Sequence, residues 1–126
     1  MITATSYRRV FKGTPDQVSE VRHAIAQQVR DTPVADDVIL IVSEFACNAV
    51  LHSWSQGEIF AVSCEVHPGC VLIEVADLGG EWSDAGPDDR PHGLDIVALL
   101  TTKWGIKGGV RGSCRVVWAC VEFGEP

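Results

Sequence analysis

Glu44 and Asn48 lie four residues apart in the most apolar stretch of the chain, which runs from 38 to 52 as VILIVSEFACNAVLH. Four residues of an α-helix rise about 6 Å, so both side chains would project from one face, with His52 one turn further on. Burying a carboxylate among aliphatic side chains is costly unless a partner, metal or ligand compensates. We therefore expect a polar ligand to contact this face of the helix.

A second group of candidate residues lies at the end of a later strand-like run. Asp77 closes that run, and Gly79 and Gly80 follow it. A carboxylate in this position can accept a hydrogen bond from the exocyclic amine of a base, and the glycines allow a flat ring to approach the backbone. This segment predicts a site for a planar heterocycle.

A third group precedes or opens later elements. His92 and Gly93 stand before Leu94, where an apolar helical run begins, and Ser113 lies at the last hairpin. The free N–H groups and the positive dipole end of a helix N-terminus suit a phosphate. Oxygens of the kind that Asn48 supplies suit Mg²⁺. Base, metal and phosphate groups together indicate a nucleoside triphosphate.

The remaining pattern indicates the elements that position these residues. Thr14, followed by Pro15 and Gln17, predicts a capping box at the start of the first helix. The predicted order β-α-α-β-β-α-β-β favours one α+β two-layer sandwich over residues 1–126, with helices on one face of a mixed, mainly antiparallel sheet. The predicted strands are 7–12, 58–66, 71–76, 103–107 and 113–123, and the predicted helices are 15–30, 36–52 and 93–102.

Composition excludes several classes of protein. The net charge of −7 over 126 residues argues against nucleic-acid binding, because affinity for the phosphate backbone needs clustered Lys and Arg. No apolar run reaches membrane-spanning length and no signal-peptide core is present, so we expect a cytoplasmic protein without membrane contact. Five cysteines without Cys-x-x-Cys spacing indicate small buried side chains rather than a zinc site. A Cys64–Cys70 link across a hairpin stays open.

The order and spacing of the motifs resemble the Bergerat-fold (GHKL) ATP-binding domain, and above all its small stand-alone branch of anti-sigma factors and serine-protein kinases. The resemblance covers nearly the whole chain. It depends on three motifs: Glu44-x-x-x-Asn48 in a helix, Asp77-x-Gly79 after a strand, and His92-Gly93-Leu94 opening a helix.

This resemblance implies ATP and Mg²⁺ as ligands and gives each motif a role. Glu44 would be the catalytic general base, Asn48 the Mg²⁺ ligand, and Asp77 the acceptor for the adenine amine. The other nucleotide-binding residues that it implies are His52, Gly79, His92, Gly93, Leu94 and Ser113.

The resemblance also implies protein partners and a homodimer. One expected function is a serine/threonine-protein kinase acting on an anti-sigma-factor antagonist. The alternative is a non-catalytic regulator that sequesters a sigma factor or another partner, with weak or no nucleotide binding. Pro91 replaces a glycine N–H donor of the family motif and Glu81 replaces its second glycine, so both departures reduce the expected affinity for a triphosphate.

Overall fold

The three predicted helices and five predicted strands are all present in the computed structural model, in the predicted order. The structure describes residues 4–53, 55–79, 94–108 and 114–124. The strands are β1 (Thr5–Lys12), β2 (Ile59–His67), β3 (Cys70–Asp77), β4 (Lys103–Gly108) and β5 (Arg115–Glu122), and the helices are α1 (Gln17–Val29), α2 (Ala35–His52) and α3 (Leu94–Leu100).

The five strands form one open sheet in the order β1-β2-β3-β5-β4. Every strand pair among the described residues is antiparallel, so the expectation of a mixed sheet is wrong. A short turn accounts for the β2–β3 pair: His67 and Cys70 pair directly across a two-residue connection, which only antiparallel strands allow. The described residues therefore form an α+β fold with an antiparallel sheet.

The core lies between one face of this sheet and the helices. Alternate residues of β3 and β5 are buried, and the register places Val75 between Val62 of β2 and Val117 of β5. On the helix side, α2 contacts α1, α3, β3 and β5. Its mostly apolar sequence follows from this position, because it has protein neighbours on several sides.

The start of α1 differs from the predicted capping box. The helix begins at Gln17, and Asp16 at its N-cap makes no side-chain capping hydrogen bond. Instead, the Gln17 N–H donates to the carbonyl of Thr14 at 2.9 Å, and the Gln17 side chain donates to Asp16 at 3.3 Å. The backbone turn satisfies the amide that a Thr14 side chain would have capped.

The cysteines are all free, and they do not behave as one class. Cys64 faces the helices, and burial raises the pKa of its thiol to about 12. Cys70 lies on the opposite face of the sheet, since Cys64 pairs with Ile73 and Cys70 is three positions before Ile73, an odd step along the strand. The two thiols therefore cannot form a hairpin disulfide, and Cys114 is exposed rather than buried.

The length and apolar character of the helices bear on membrane insertion. Within the described ranges, no helix combines the length and the apolar character needed to cross a membrane. The longest of them, α2, has Asp36 and Asp37 in its first turn and His52 in its last. The two carboxylates suit the positive end of the helix dipole.

Candidate functional site

Asn48 is the most unusual polar residue of the described chain. Its side chain is only 1 % exposed, and neither the amide nitrogen nor the amide oxygen has a hydrogen-bond partner among the described residues. Leaving a buried polar group unsatisfied costs about 1–3 kcal/mol, and proteins retain such groups chiefly for a role or for a bound molecule. The position therefore fits a ligand contact.

Glu44 lies one turn before Asn48 and is half-buried. Its charge acts on Cys47, because burial first and the Glu44 carboxylate second raise the pKa of that thiol. The exposed stripe of α2 runs beside it, with Leu40 42 % and Leu51 51 % exposed. Glu44 thus reaches the edge of solvent, while Asn48, one turn further along α2, does not.

Asp77 ends β3 as a buried carboxylate with two protein partners. It is 2 % exposed, and its Oδ2 accepts from Nε and Nη2 of Arg115 at 3.3 and 3.2 Å. Its Oδ1 accepts from the N–H of Gly79 at 2.7 Å. The register explains the ion pair, because Asp77 and Arg115 are directly opposite each other in the β3–β5 ladder. Gly79 has φ of +85°, a conformation that favours glycine at this turn.

Burial and hydrogen-bond partners shift the pKa of Asp77 in opposite directions. Burial is the largest effect and raises its pKa, while the Gly79 N–H and the Arg115 guanidinium lower it; the net direction is upward. The Arg115 side chain is itself only 5 % exposed. Removing the Arg115 guanidinium would leave the Asp77 carboxylate buried without this counter-charge, which is strongly destabilising.

A chain of hydrogen bonds connects the last turn of α2 to the end of β3. The Ser53 hydroxyl donates to the carbonyl of Ala49 at 2.6 Å and accepts from the N–H of Ser55 at 2.9 Å. The Ser55 hydroxyl then accepts from the N–H of Leu78 at 2.8 Å. Ala49 and Leu78 are the chain neighbours of Asn48 and Asp77, so these bonds hold the two candidate positions in one part of the fold.

Gly13 supports the same connection from β1. It exchanges backbone hydrogen bonds with Gly57 and Glu58, at 2.8 and 2.7 Å. A Cβ at position 13 would overlap the carbonyl oxygen of Ser55, at 1.8 Å. Only glycine therefore allows the segment that carries Ser55 to lie against the end of β1.

The other predicted site residues are placed less fully. His52 is half-buried at the end of α2, and Leu94 is half-buried as the first residue of α3, where it packs against the core. The remaining predicted residues, His92, Gly93 and Ser113, lie outside the described residues, as do both departures, Glu81 and Pro91.

Sequence reasoning missed Arg115 and Ser55. Arg115 had a usable signal, because it stands at an inward position of the alternating run that forms β5, where an unpaired cation is costly. Ser55 had none, since serine is ordinary in a turn. Its complete burial comes from contacts that are distant in sequence, including Gly13 and Leu78.

The described donor set limits what could be bound. Among these residues, no group of three or more His, Cys, Asp or Glu side chains is arranged to hold a metal ion. The amide oxygen of Asn48 is of the type that binds Mg²⁺ together with oxygens of a second ligand, such as substrate phosphates. No protein-family model matches this chain, and comparison with curated proteins finds no match.

Proposed function

We propose that this chain binds ATP with Mg²⁺ beside α2 and the end of β3, as a regulatory protein of Bergerat type that resembles anti-sigma factors with serine/threonine-protein kinase activity. The observation that carries the proposal is the Asn48 amide, which is buried with neither polar atom satisfied. A purely structural asparagine at this position would have partners.

Asn48 fits the implied ligands through its two different atoms. Its oxygen is of the type that Mg²⁺ binds, and its NH₂ group can donate to a phosphate oxygen. When bound, Mg²⁺ would neutralise charge on the phosphates. The half-buried Glu44 lies one turn away and would not compete for the buried position.

Asp77 retains capacity for an adenine amine. A carboxylate can accept about four hydrogen bonds, and the described contacts are one from Gly79 and two from Arg115. Both Arg115 donors are on Oδ2, so the remaining capacity includes a place on Oδ1. Arg115 also favours the ionised acceptor form of Asp77, against the effect of burial.

Glu44 supplies the base that a kinase reaction needs. Its carboxylate would take the proton from a serine hydroxyl of the partner as that oxygen bonds to the γ-phosphorus. The bond between the γ-phosphorus and the bridging β–γ oxygen breaks, and ADP leaves. The exposed side of Glu44, next to Leu40 and Leu51, gives a partner protein access to it.

The alternative, a non-catalytic regulator with weak nucleotide binding, is favoured by one specific observation. Arg115 already holds Asp77 by two donors, so Asp77 is satisfied without any base. On this alternative, the chain would sequester a sigma factor or another partner through its surface alone.

Calorimetric titration with Mg²⁺-ATP tests the nucleotide site. Asn48→Ala should weaken binding at least about tenfold, a loss of about 1.4 kcal/mol. Ser43→Ala is the matched control, because Ser43 is also polar and buried on α2 but already donates to the carbonyl of Ile39 at 2.7 Å. Equal affinity of wild type and Asn48→Ala would refute the role of Asn48.

Phosphate transfer separates the two functions. With labelled ATP and an anti-sigma-factor antagonist, the wild type should label the partner, while Glu44→Gln should abolish labelling and retain nucleotide binding. If the wild type binds a partner but never transfers phosphate, the non-catalytic alternative is correct.

A further inference from the structure

The face of the sheet that points away from the helices carries an apolar band. The register aligns Val10, Ala61, Ala76 and Val116 across four neighbouring strands. Val10 is 54 % exposed, and Ile59, beside it on β2, is 53 % exposed. Trp118 is next along this face of β5 after Val116 and completes the band. The core that the described helices share with the sheet uses the other face, through residues such as Val62, Val75 and Val117.

Trp118 has a fixed support within the band. It pairs directly with Gly105 of β4, and a Cβ on that glycine would lie 3.0 Å from the indole nitrogen. The indole therefore packs closely over the backbone of β4 while part of its surface stays accessible. A half-exposed tryptophan held in one position is the residue type that most often anchors a partner.

The charged residues around the band are cations on the outer strands and carboxylates on strands between them. On the outer strands, Lys12 is paired with Ile59 and Lys107 with Val116, and neither lysine forms an ion pair with a described residue. On two of the three strands between, β2 and β3, the same face carries Glu65 and Glu74. The band thus ends in a cation on each side and has carboxylates near its centre.

This pattern disfavours a second copy of the chain as the occupant. Packing two such faces around a central two-fold axis places an outer strand of one copy against an outer strand of the other, and central strands against central strands. Cations would then face cations, and carboxylates would face carboxylates. Like charges brought together at an interface are unfavourable.

We infer that the band is the docking surface for an amphipathic helix of a partner protein, with carboxylates at the two ends of the apolar stripe of that helix. Five strands span about 19 Å from β1 to β4, which matches a helix of about 13 residues. Apolar side chains of the helix would lie over Val10 and Ala76, with the buried Ala61 between them, and its terminal carboxylates would meet Lys12 and Lys107. This inference is independent of the nucleotide site, because it uses the opposite face of the sheet.

Two synthetic helical peptides of about 16 residues test whether the band prefers a helix with carboxylates at the ends of its apolar stripe. They share one leucine stripe, and one carries glutamates while the other carries lysines at both ends of it. The net charge of −7 alone favours the lysine peptide. Fluorescence anisotropy should instead show the glutamate peptide binding at least about tenfold more tightly. Equal affinities, or a preference for the lysine peptide, would overturn the inference.

Variants of the chain locate the binding. Lys12→Glu combined with Lys107→Glu should remove the preference for the glutamate peptide, and Ile59→Ser should weaken both peptides. Arg30→Glu is the control for each single substitution, Lys12→Glu or Lys107→Glu, since it makes the same charge change at an exposed residue after α1 and should leave the preference intact. A preference that survives the double variant contradicts the assignment. A wild-type dimer in sedimentation that Ile59→Ser dissociates would show that a second copy occupies the face instead.

Discussion

Two buried polar positions in this protein are built in opposite ways. The Asp77–Arg115 pair is surrounded by protein, but each charge is matched by the other and Asp77 also accepts from the backbone of Gly79. Asn48 is equally buried and has no partner for either polar atom among the described residues. The first arrangement is satisfied within the folded chain, while the second is costly to the fold and fits the proposed ligand.

The largest test of this comparison is the loss of one partner in the charged pair. Arg115→Met should lower the free energy of unfolding by about 3–5 kcal/mol, because it leaves the Asp77 carboxylate buried and unpaired. Denaturant unfolding measures the change. Arg115→Met combined with Asp77→Asn should recover part of the loss. Lys103→Met is the control, since Lys103 pairs with Glu122 on the surface and should change stability little.

If Arg115→Met proves no worse than Lys103→Met, the pair is not a stabilising unit and the contrast with Asn48 fails. In that case Asp77 would tolerate the loss of Arg115, and its carboxylate would be freer to accept a hydrogen bond from a base. Recovery in the double variant is therefore as informative as the single loss.

The second test predicts a gain in the free energy of unfolding instead of a loss. Asn48→Leu should raise the free energy of unfolding by about 1–2 kcal/mol without ligand. The substitution removes two unsatisfied buried polar atoms and puts an apolar side chain of similar size in their place. Ser43→Ala on the same helix should lower it by about 0.5–1.5 kcal/mol, since that hydroxyl has a partner. Thermal and denaturant unfolding compare the two variants.

Nucleotide should then invert the ranking. At about 100 times its dissociation constant, Mg²⁺-ATP would stabilise the wild type by about 2.7 kcal/mol, and Asn48→Leu should gain far less. If Asn48→Leu is less stable than the wild type even without ligand, the amide is satisfied in solution and the comparison is wrong.

The two halves of the comparison also differ in what sequence could predict. Helical spacing placed Asn48 on α2, and the order of strands placed Asp77 at the end of β3, because both follow from local periodicity. The pairing of Asp77 with Arg115 needed the β3–β5 register, which joins positions 38 residues apart. The capping box at Thr14 failed for a related reason, since backbone turns competed with the side chain and the sequence does not decide between them.

A third test concerns the connection between the two positions. Ser55→Ala should lower the free energy of unfolding by about 0.5–1.5 kcal/mol, because the N–H of Leu78 loses its acceptor. Ser63→Ala is the control, as its hydroxyl accepts only from the exposed Arg8 at 3.1 Å and should matter little. A loss of Mg²⁺-ATP affinity in Ser55→Ala that Ser63→Ala does not show would indicate that this chain of hydrogen bonds aligns the site.

The smallest expected effect is a pH dependence that belongs to Asp77. Its pKa in the folded chain is raised above 3.8, first by burial, so the folded state holds this proton more tightly than the unfolded state. The stability gained from the protonated group is present in full below about pH 3.8 and is lost as pH rises through the folded pKa. Asp77→Asn should remove this fall from the curve of unfolding free energy against pH.

Asp16→Asn should change the curve in the opposite sense, because side-chain hydrogen bonds with Thr14 and Gln17 lower the Asp16 pKa and its stabilisation is lost as pH falls. The same sign in both variants would mean that Arg115, and not burial, controls the Asp77 carboxylate, and the charged pair would then be better matched than its buried position indicates.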